Sequence, residues 1–368
     1  MLSHIFKSLV MVLAFGAGTV SSQSLSNSLV SRRLTEYLMP AASETHEFAR
    51  VPGTNFVLLS QMYDSQLIKI ELNPITEEPI ASQSFLMGKN SKSGLHGWEN
   101  RLLLVDLGQN LSAVSSIIKT INILEPGNGP HCIFEIGNRV WAGLKDASKQ
   151  TGQYYVFSAD ISNPTDQKLY PCLKSPVFIK EEPATKLIYV TQDTESSIMR
   201  INSTSGETAQ LPISPNFGST PFSLDGNATG GSGSFGYIVS TGDMRFFQLK
   251  KPYLGTNAGL LHIADASTVA GGPALWLLST SLLSTNSADA LILVTFDEGV
   301  KKITGEEYIS MLTQNAMVHR VVPLESTVLV SQLHTFALTQ LSYNNTVSWH
   351  WLPAEALSNA AAVYTEAS

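Results

Sequence analysis

Seven similar turn segments recur along this chain, and their spacing restricts the folds that the chain can adopt. They are centred on positions 46, 96, 131, 177, 222, 262 and 319, at steps of 35 to 57 residues. Five of these turn positions hold a histidine, although the chain has only eight histidines. The residues at the seven turn positions are His46, His96, His131, Val177, Phe222, His262 and His319. This placement indicates a repeated structural unit.

Short strand-like runs follow each turn position, separated by Gly, Pro, Asn and Ser, as in "NFVLLSQ" and "KLIYVTQ". Three repeats carry an aliphatic-Ser/Thr-Gln triplet, which ends in Gln61, Gln192 and Gln332. Another run often ends in Pro, as in "LTEYLMP" and "GETAQLP". Four short strands in a repeat of roughly 45 residues are typical of a β-propeller blade. The sequence therefore predicts an all-β, seven-bladed β-propeller.

The second repeat is the shortest, since only 35 residues separate position 96 from position 131. After "HGWEN" the sequence passes directly to "RLLLVDL", which has the character of a third strand, and then to "IIKTINI". This blade is expected to lack about one strand. Two explanations remain open: the second blade is genuinely shortened, or the coding sequence has lost a short exon.

Residues 1–22 are predicted to be a secretory signal peptide, because Lys7 precedes an apolar run that ends in small residues, "GAGTVSS". The remainder, 23–368, has no linker or composition break and is predicted to be one domain. The protein is therefore expected to be secreted. Four Asn-x-Ser/Thr sequons agree with export as glycosylation sites: Asn110, Asn202, Asn227 and Asn344.

The composition limits the partners. A formal net charge of −7 argues against nucleic acid, because phosphate binding needs clustered Lys and Arg. No segment after residue 22 reaches the ~20 apolar residues that a membrane-spanning helix needs. With 43% hydrophobic residues the chain can bury a full core. The protein is expected to be a monomer. Cys132 and Cys172 either form one disulfide or remain two buried thiols.

In a propeller the first strand of every blade lines the central channel, so equivalent turns meet at one end of that channel. His96, His131, His262 and His319 are therefore expected to converge there as a pocket for a small molecule, with Phe222 as an apolar wall. Gln61, Gln192 and Gln332 are candidates for the same pocket. Their alternative role is to form hydrogen bonds between blades.

Lys145 follows Trp141 by four residues and is a further candidate for the pocket. A lysine among imidazoles would have a lowered pKa and could act as a base or bind an oxyanion. The alternative is a solvated lysine in a loop. No nucleophile motif such as G-x-S-x-G is present.

At these residues the chain resembles the virginiamycin B lyase (streptogramin lyase) family, as a secreted relative of fungal type. The segments that carry the resemblance are "LTEYLMP", "SGLHGW", "NGPHCI" with "VWAGLK", and "VHRVVPLESTVLVSQL", in that order. The resemblance covers the chain from about Leu34 to Pro353. It implies a seven-bladed propeller, and it is more specific for the fold than for the activity.

The resemblance also implies an active site of two histidines from the last two repeats, with glutamates and a magnesium ion. The two histidines correspond to His262 and His319, which are the implied catalytic residues. The chain departs from the family where a catalytic glutamate is replaced by Gln332, and where an acid is replaced near Met317. Glutamine cannot act as a general base and is a weaker magnesium ligand than a carboxylate. These departures weaken the expectation of Mg²⁺.

Two classes of function follow from these observations. The first is an enzyme that acts on a small natural product by a lyase, isomerase or ester- or lactone-opening step with histidine acid–base chemistry. A lactonase with bound calcium would need carboxylate and Asn ligands, which the turn positions do not offer. The second class is a non-catalytic propeller that binds a ligand or a protein, because the fold supports both.

Overall fold

The computed structural model describes the following residues: 32–39, 45–51, 53–61, 66–86, 100–106, 108, 110–111, 116–182, 185–193, 195, 197–213, 221–223, 226–227, 234–238, 244–250, 259–282, 287–343 and 360–366. Within these ranges the regular secondary structure is β-strand except for one described helix, the single turn α1, Ser267–Ala270. No helix there has the length and apolar character needed to cross a membrane. The proposed signal peptide, 1–22, lies outside the described residues.

Four antiparallel sheets have four strands each, and in each sheet the strands pair in chain order. Their bounds are β2 Thr45–Arg50, β3 Phe56–Gln61, β4 Gln66–Leu72 and β5 Pro79–Leu86; β8 Pro130–Ile136, β9 Arg139–Leu144, β10 Tyr154–Asp160 and β11 Gln167–Cys172; β12 Pro176–Glu182, β13 Leu187–Gln192, β14 Ser197–Asn202 and β15 Thr208–Pro212; β20 Leu260–Asp265, β21 Ala274–Ser279, β22 Ala290–Phe296 and β23 Ile303–Ser310. This meander is the architecture of a propeller blade.

A fifth sheet contains strands from both ends of the chain, in the order β24-β25-β26-β1-β27. Its strands are β24 Val318–Pro323, β25 Thr327–Gln332, β26 Ala337–Tyr343, β1 Arg32–Leu38 and β27 Ala360–Glu366. The strand β1 pairs with β26 so that Leu34 lies opposite Leu341, and both side chains are buried. The amino-terminal strand therefore closes the ring of sheets by completing the last one.

Three smaller sheets have two strands each. They are β6 Arg101–Asp106 with β7 Ser116–Asn122, β16 Pro221–Ser223 with β17 Gly226–Asn227, and β18 Ser234–Ile238 with β19 Met244–Gln248. The first of these is all that the described residues contribute between β5 and β8. The segment that precedes it, 87–99, lies outside the described residues and includes His96.

The first strands of the sheets stand side by side around one axis. The strand β24 contacts β20 on one side and β2 on the other, and β12 contacts both β8 and β16. Apolar clusters fill the spaces between neighbouring sheets. One cluster joins Trp276 and Leu291 to Val328 of the last sheet, and another joins Trp141 to Met199. The sequence-based prediction of an all-β propeller is confirmed.

The buried carboxylate of Asp289 holds two neighbouring sheets together. Asp289, which precedes β22, is fully buried and accepts hydrogen bonds from the backbone N–H groups of Ser281 (2.8 Å), Ala316 (2.8 Å) and Val318 (3.3 Å). It also accepts one from the Ser281 hydroxyl at 2.9 Å. Since Val318 opens β24, this carboxylate fixes the segment that leads to His319.

Candidate functional site

The turn positions lie on β-bulges at the start of the first strands. In four sheets the pairing of the first and second strands shifts by one extra residue, and the bulges begin at His46, His131, Val177 and His319. A bulge re-aims the side chains of the bulged strand. In three of these strands the first bulge residue is a histidine, and the ring of His46 contacts those of His131 and His319.

A hydroxyl on the second strand supports three of these bulges. The hydroxyls of Ser60, Thr191 and Ser331 each accept a hydrogen bond, at 3.0 Å, from the backbone N–H of the second bulge residue. Those second residues are Glu47, Phe178 and Arg320 respectively. The Ser331 hydroxyl also donates to the His46 carbonyl at 3.0 Å and so links the last sheet to the first. The triplets that contain these hydroxyls stand out in the sequence, but their spacing does not reveal this role.

The three glutamines of the triplets are fully buried and form hydrogen bonds with structural partners. Gln61 donates to Thr45 at 3.1 Å, and Gln332 donates to Glu36 at 2.7 Å. Gln192 accepts from the backbone N–H of Leu173 at 2.8 Å, across the boundary between two sheets. Of these contacts, only that of Gln192 joins two blades, as the alternative role requires, whereas those of Gln61 and Gln332 lie within one sheet.

His262 occupies a different bulge position from the one that the spacing suggested. In the β20–β21 pair the register shifts between Leu260 and His262, so Leu261 takes the first bulge position and His262 the second. His262 was expected to be equivalent to His319, but the residue equivalent to His319 is Leu261. As a second bulge residue, His262 faces the next sheet, where its Nδ1 accepts the N–H of Val321 at 3.3 Å. The offset arises from the local strand register, which spacing along the chain does not reveal.

Three imidazoles from three sheets meet at the axis. The ring centroids of His46 and His319 are 3.8 Å apart at an interplanar angle of 39°, and those of His46 and His131 are 5.7 Å apart, edge to face. His46 and His319 are almost completely buried, with 4% and 6% of their surface exposed. The structure therefore brings together His46, His131 and His319 although they lie far apart in the sequence. We call these three residues the axial cluster.

An ion pair lies beside the axial cluster. Arg320, on β24, donates from Nε to Glu47 Oε2 at 2.8 Å and also pairs with Glu47 through Nη2. Its guanidinium lies 4.2 Å from the centroid of the Phe178 ring, which in turn is 5.9 Å from the ring of His262. Only 3% of Arg320 is exposed. The buried guanidinium of Arg320 therefore lies between the Phe178 ring, which neighbours His262, and the axial cluster, where it approaches His319.

Hydrogen bonds set the proton positions on two of the histidines. His319 Nδ1 lies 3.4 Å from the His46 carbonyl, which can only accept, so Nδ1 carries the proton and Nε2 the lone pair. His262 Nδ1 accepts an N–H, so in the neutral ring the proton is on Nε2. The lone pair of His319 therefore lies on Nε2, which is 3.5 Å from Arg320 Nη1, and His262 carries a donor nitrogen.

Both rings are kept neutral by their surroundings. Burial, and then the positive charge of Arg320, holds the pKa of His262 and that of His319 well below the usual value of 6.5. Lys180 adds to this effect at His262, and His131 adds to it at His319. At neutral pH each imidazole can therefore serve as a neutral hydrogen-bonding or acid–base group.

The lowered pKa values predict that the protein loses stability in mild acid. Because the folded-state pKa lies below the unfolded value of 6.5, the unfolded chain binds more protons once the pH falls below about 6.5. The free energy of unfolding should then fall by about 1.4 kcal/mol per pH unit for each histidine, until the folded pKa is reached. The slope from each residue falls to half of that value at pH 6.5 and is negligible from about pH 7.5 upward.

Denaturant unfolding between pH 5 and 8 measures this effect. The variant His319→Gln should show a shallower slope below pH 6.5, whereas His334→Gln, which changes an exposed histidine, should keep the slope of the wild type. An identical slope in all three proteins would contradict the prediction.

The other predicted pocket residues have different positions. Lys145 is exposed in the loop after β9, as expected for the alternative of a solvated lysine. His96 lies outside the described residues. Phe222 lies in β16, and only its backbone is described.

Cys132 and Cys172 are both buried free thiols, so the alternative without a disulfide describes this structure.

The predicted glycosylation sites also differ in surroundings. Asn110 is exposed, and its backbone carbonyl accepts from Lys69 Nζ at 2.7 Å. Asn202 ends β14, and its side-chain oxygen accepts the backbone N–H of Thr204 at 3.0 Å. Asn227 lies in β17 with only its backbone described, and Asn344 lies outside the described residues.

The residues present do not fit a magnesium ion. His46, Glu47 and His319 have potential ligand atoms within 4.8 Å of one another, but Mg²⁺ prefers several oxygen ligands. The one carboxylate of this group is held by Arg320. The amide of Gln332 is engaged by Glu36 and Thr339. No magnesium-dependent step is therefore derived for this site.

Comparison with known proteins gives similarity of fold. No protein-family model matches the chain, and neither does any curated protein sequence. Among solved structures, selenomethionine-substituted virginiamycin B lyase from Staphylococcus aureus matches with a TM-score of 0.60 and 15% identity, over 84% of this chain and 99% of that one. A catalytically inactive variant of that lyase with quinupristin matches with a TM-score of 0.61 and 14% identity, over the same shares of the two chains.

Solved structures with other names match over the same share of the chain. YCF48 from Cyanidioschyzon merolae matches with a TM-score of 0.56 and 10% identity, and the WD40 repeats of RRP9 match with a TM-score of 0.54 and 8% identity. Each match covers 84% of this chain and 98% of the other. At such identities the comparisons show the fold alone. The chain is a β-propeller.

Proposed function

We propose that this protein is a secreted enzyme that acts on a small natural product by a lyase, isomerase or ester- or lactone-opening step with histidine acid–base chemistry. The observation that supports it is the meeting of His46, His131 and His319 at the axis, with His262 nearby. Buried titratable groups gathered from separate repeats are typical of a functional site. The distant likeness in fold to virginiamycin B lyase is consistent with this chemistry.

We also propose the following finer features of the fold and of the mature protein. The blade count is seven, with β6–β7 as a shortened second blade and β16–β19 as the fifth, beside the five larger sheets. The secreted protein comprises residues 23–368 as one domain and is a glycosylated monomer. Its partner is a small molecule, and neither nucleic acid nor a membrane.

The two catalytic histidines have complementary roles in this proposal. His319 is the general base, because its Nε2 carries the lone pair. His262 is the hydrogen-bond donor and acid, because its Nε2 carries the proton. In a ring-opening elimination the base removes a proton from a carbon α to a carbonyl, a C=C bond forms and the adjacent C–O bond breaks. The leaving oxygen then takes a proton, and the product has the same mass as the substrate.

A non-catalytic binding propeller is the second candidate. The observation that favours it is the burial of His46 and His319, which are 4% and 6% exposed. Closely packed rings of this kind can also have a purely structural role, as a plug of side chains that fills the central channel. A binding protein of this kind would hold a ligand above the plug without changing it.

Chromatography with mass spectrometry distinguishes these functions. The purified protein is incubated with virginiamycin B, quinupristin and a panel of cyclic esters and lactones. Elimination gives a product of unchanged mass with a new C=C absorbance, whereas hydrolysis adds one water. Turnover of any compound that is lost in His319→Gln supports the enzyme. Saturable binding of a compound without turnover supports the binding propeller and contradicts the enzyme.

A further inference from the structure

We infer that His46, Glu47 and His319 form a latent transition-metal site, and that the guanidinium of Arg320 occupies it as a built-in cation. This inference goes beyond the proposed function, because it holds whether the propeller is an enzyme or a binding protein. It predicts that the natural protein needs no metal at its axis, and that removing one side chain creates a metal site.

The donor atoms of the latent site have the chemistry of a zinc or nickel site. Two imidazoles and one carboxylate place their ligand atoms within 4.8 Å of one another, and His46 Nδ1 is 3.4 Å from Glu47 Oε1. Imidazole nitrogens suit Zn²⁺ and Ni²⁺, and carboxylate oxygens are accepted zinc ligands. Small shifts of these side chains would bring their ligand atoms to one ion.

Arg320 competes directly for this position. It pairs with Glu47 through both Nε and Nη2, which engages the only carboxylate of the three. Its Nη1 lies 3.5 Å from His319 Nε2 and donates to the His319 carbonyl at 2.8 Å. The Phe178 ring beneath the guanidinium holds it in place at 4.2 Å. A guanidinium stays protonated at any physiological pH, so a divalent cation here would meet a fixed positive charge.

The test compares wild type with Arg320→Met, which keeps a long side chain and removes the charge. Each purified protein is treated with a chelator, desalted and then mixed with Zn²⁺ or Ni²⁺ alone. We expect no change in the Tm of wild type. In Arg320→Met the metal should raise the Tm by at least about 3 °C at about 100-fold above its Kd, and about one metal ion should remain bound per chain.

Two matched controls define the site. Adding His319→Gln to Arg320→Met should abolish the gain, because one ligand is lost. Arg320→Lys should not gain metal, because the cation is retained. If Arg320→Met fails to fold, Arg320→Gln takes its place, since its amide can still hydrogen-bond Glu47.

Two results would overturn the inference. The first is wild-type protein that binds about one zinc or nickel ion in a manner that depends on His46 and His319. The second is a folded, uncharged Arg320 variant that gains no metal. These measurements are independent of catalytic turnover, so their failure and the failure of the proposed function are distinguishable.

Discussion

Replacing His319 or His262 by glutamine should lower kcat by at least about 100-fold on any substrate that the wild type turns over. A positioned acid or base contributes roughly 10²–10⁴-fold, and glutamine can perform neither role. The two residues act on opposite ends of one elimination. The kcat of the double variant should therefore be only slightly lower than that of the less active single variant. The measurement is product formation by chromatography with mass spectrometry, for wild type and the three variants.

His334→Gln provides the matched control for this experiment. It makes the same chemical change at an exposed histidine, so kcat should equal that of the wild type. Unfolding curves of every variant show whether a loss of activity comes from a loss of folded protein. If both His319→Gln and His262→Gln retain wild-type kcat while folded, neither residue acts as the acid or base.

Replacing Asp289 by alanine should lower the free energy of unfolding by about 3–5 kcal/mol. The carboxylate is fully buried and accepts the backbone N–H groups of Ser281, Ala316 and Val318. Each donor that remains buried without a partner costs about 1–3 kcal/mol. Since two of the three donors lie just before or in β24, the change should also loosen the segment that carries His319. Urea unfolding at pH 7 measures the loss.

Asp289→Asn tests the same contact more gently. Its single carbonyl oxygen still accepts one or two of the bonds, so its loss should be smaller than that of Asp289→Ala. Glu298→Gln, which changes an exposed carboxylate in the turn between β22 and β23, should stay within about 0.5 kcal/mol of wild type. An Asp289→Ala protein as stable as wild type would show that this carboxylate does not hold the two sheets together.

The spacing of the turn positions was sufficient to predict the all-β propeller. Each repeat carries its own turn residues and short β-rich runs, and these are local properties that the sequence displays directly. The same repetition predicted that His96, His131, His262 and His319 converge at one end of the channel, because equivalent points of a ring of similar units must face its centre. His46, the turn residue of the first sheet, lies between two of these predicted residues, with ring centroids 3.8 Å from His319 and 5.7 Å from His131.

Register within a strand pair could not be predicted from spacing. His262 follows the same turn pattern as His319, yet the bulge in its sheet begins one residue earlier, at Leu261. A shift of one residue turns a side chain to a different face. That shift directs His262 to the N–H of Val321 and determines which of its nitrogens carries the proton.

What the sequence by itself determined was the β-rich unit and its repetition. What only the tertiary structure decided was how the units meet. The pair of Glu47 and Arg320 joins residues 273 positions apart, and β1 completes a sheet whose other strands lie near the far end of the chain. Neither residue of that pair stands out in its own repeat. Contacts between distant segments depend on closure of the ring, and closure is a property of the whole set of blades rather than of any one of them.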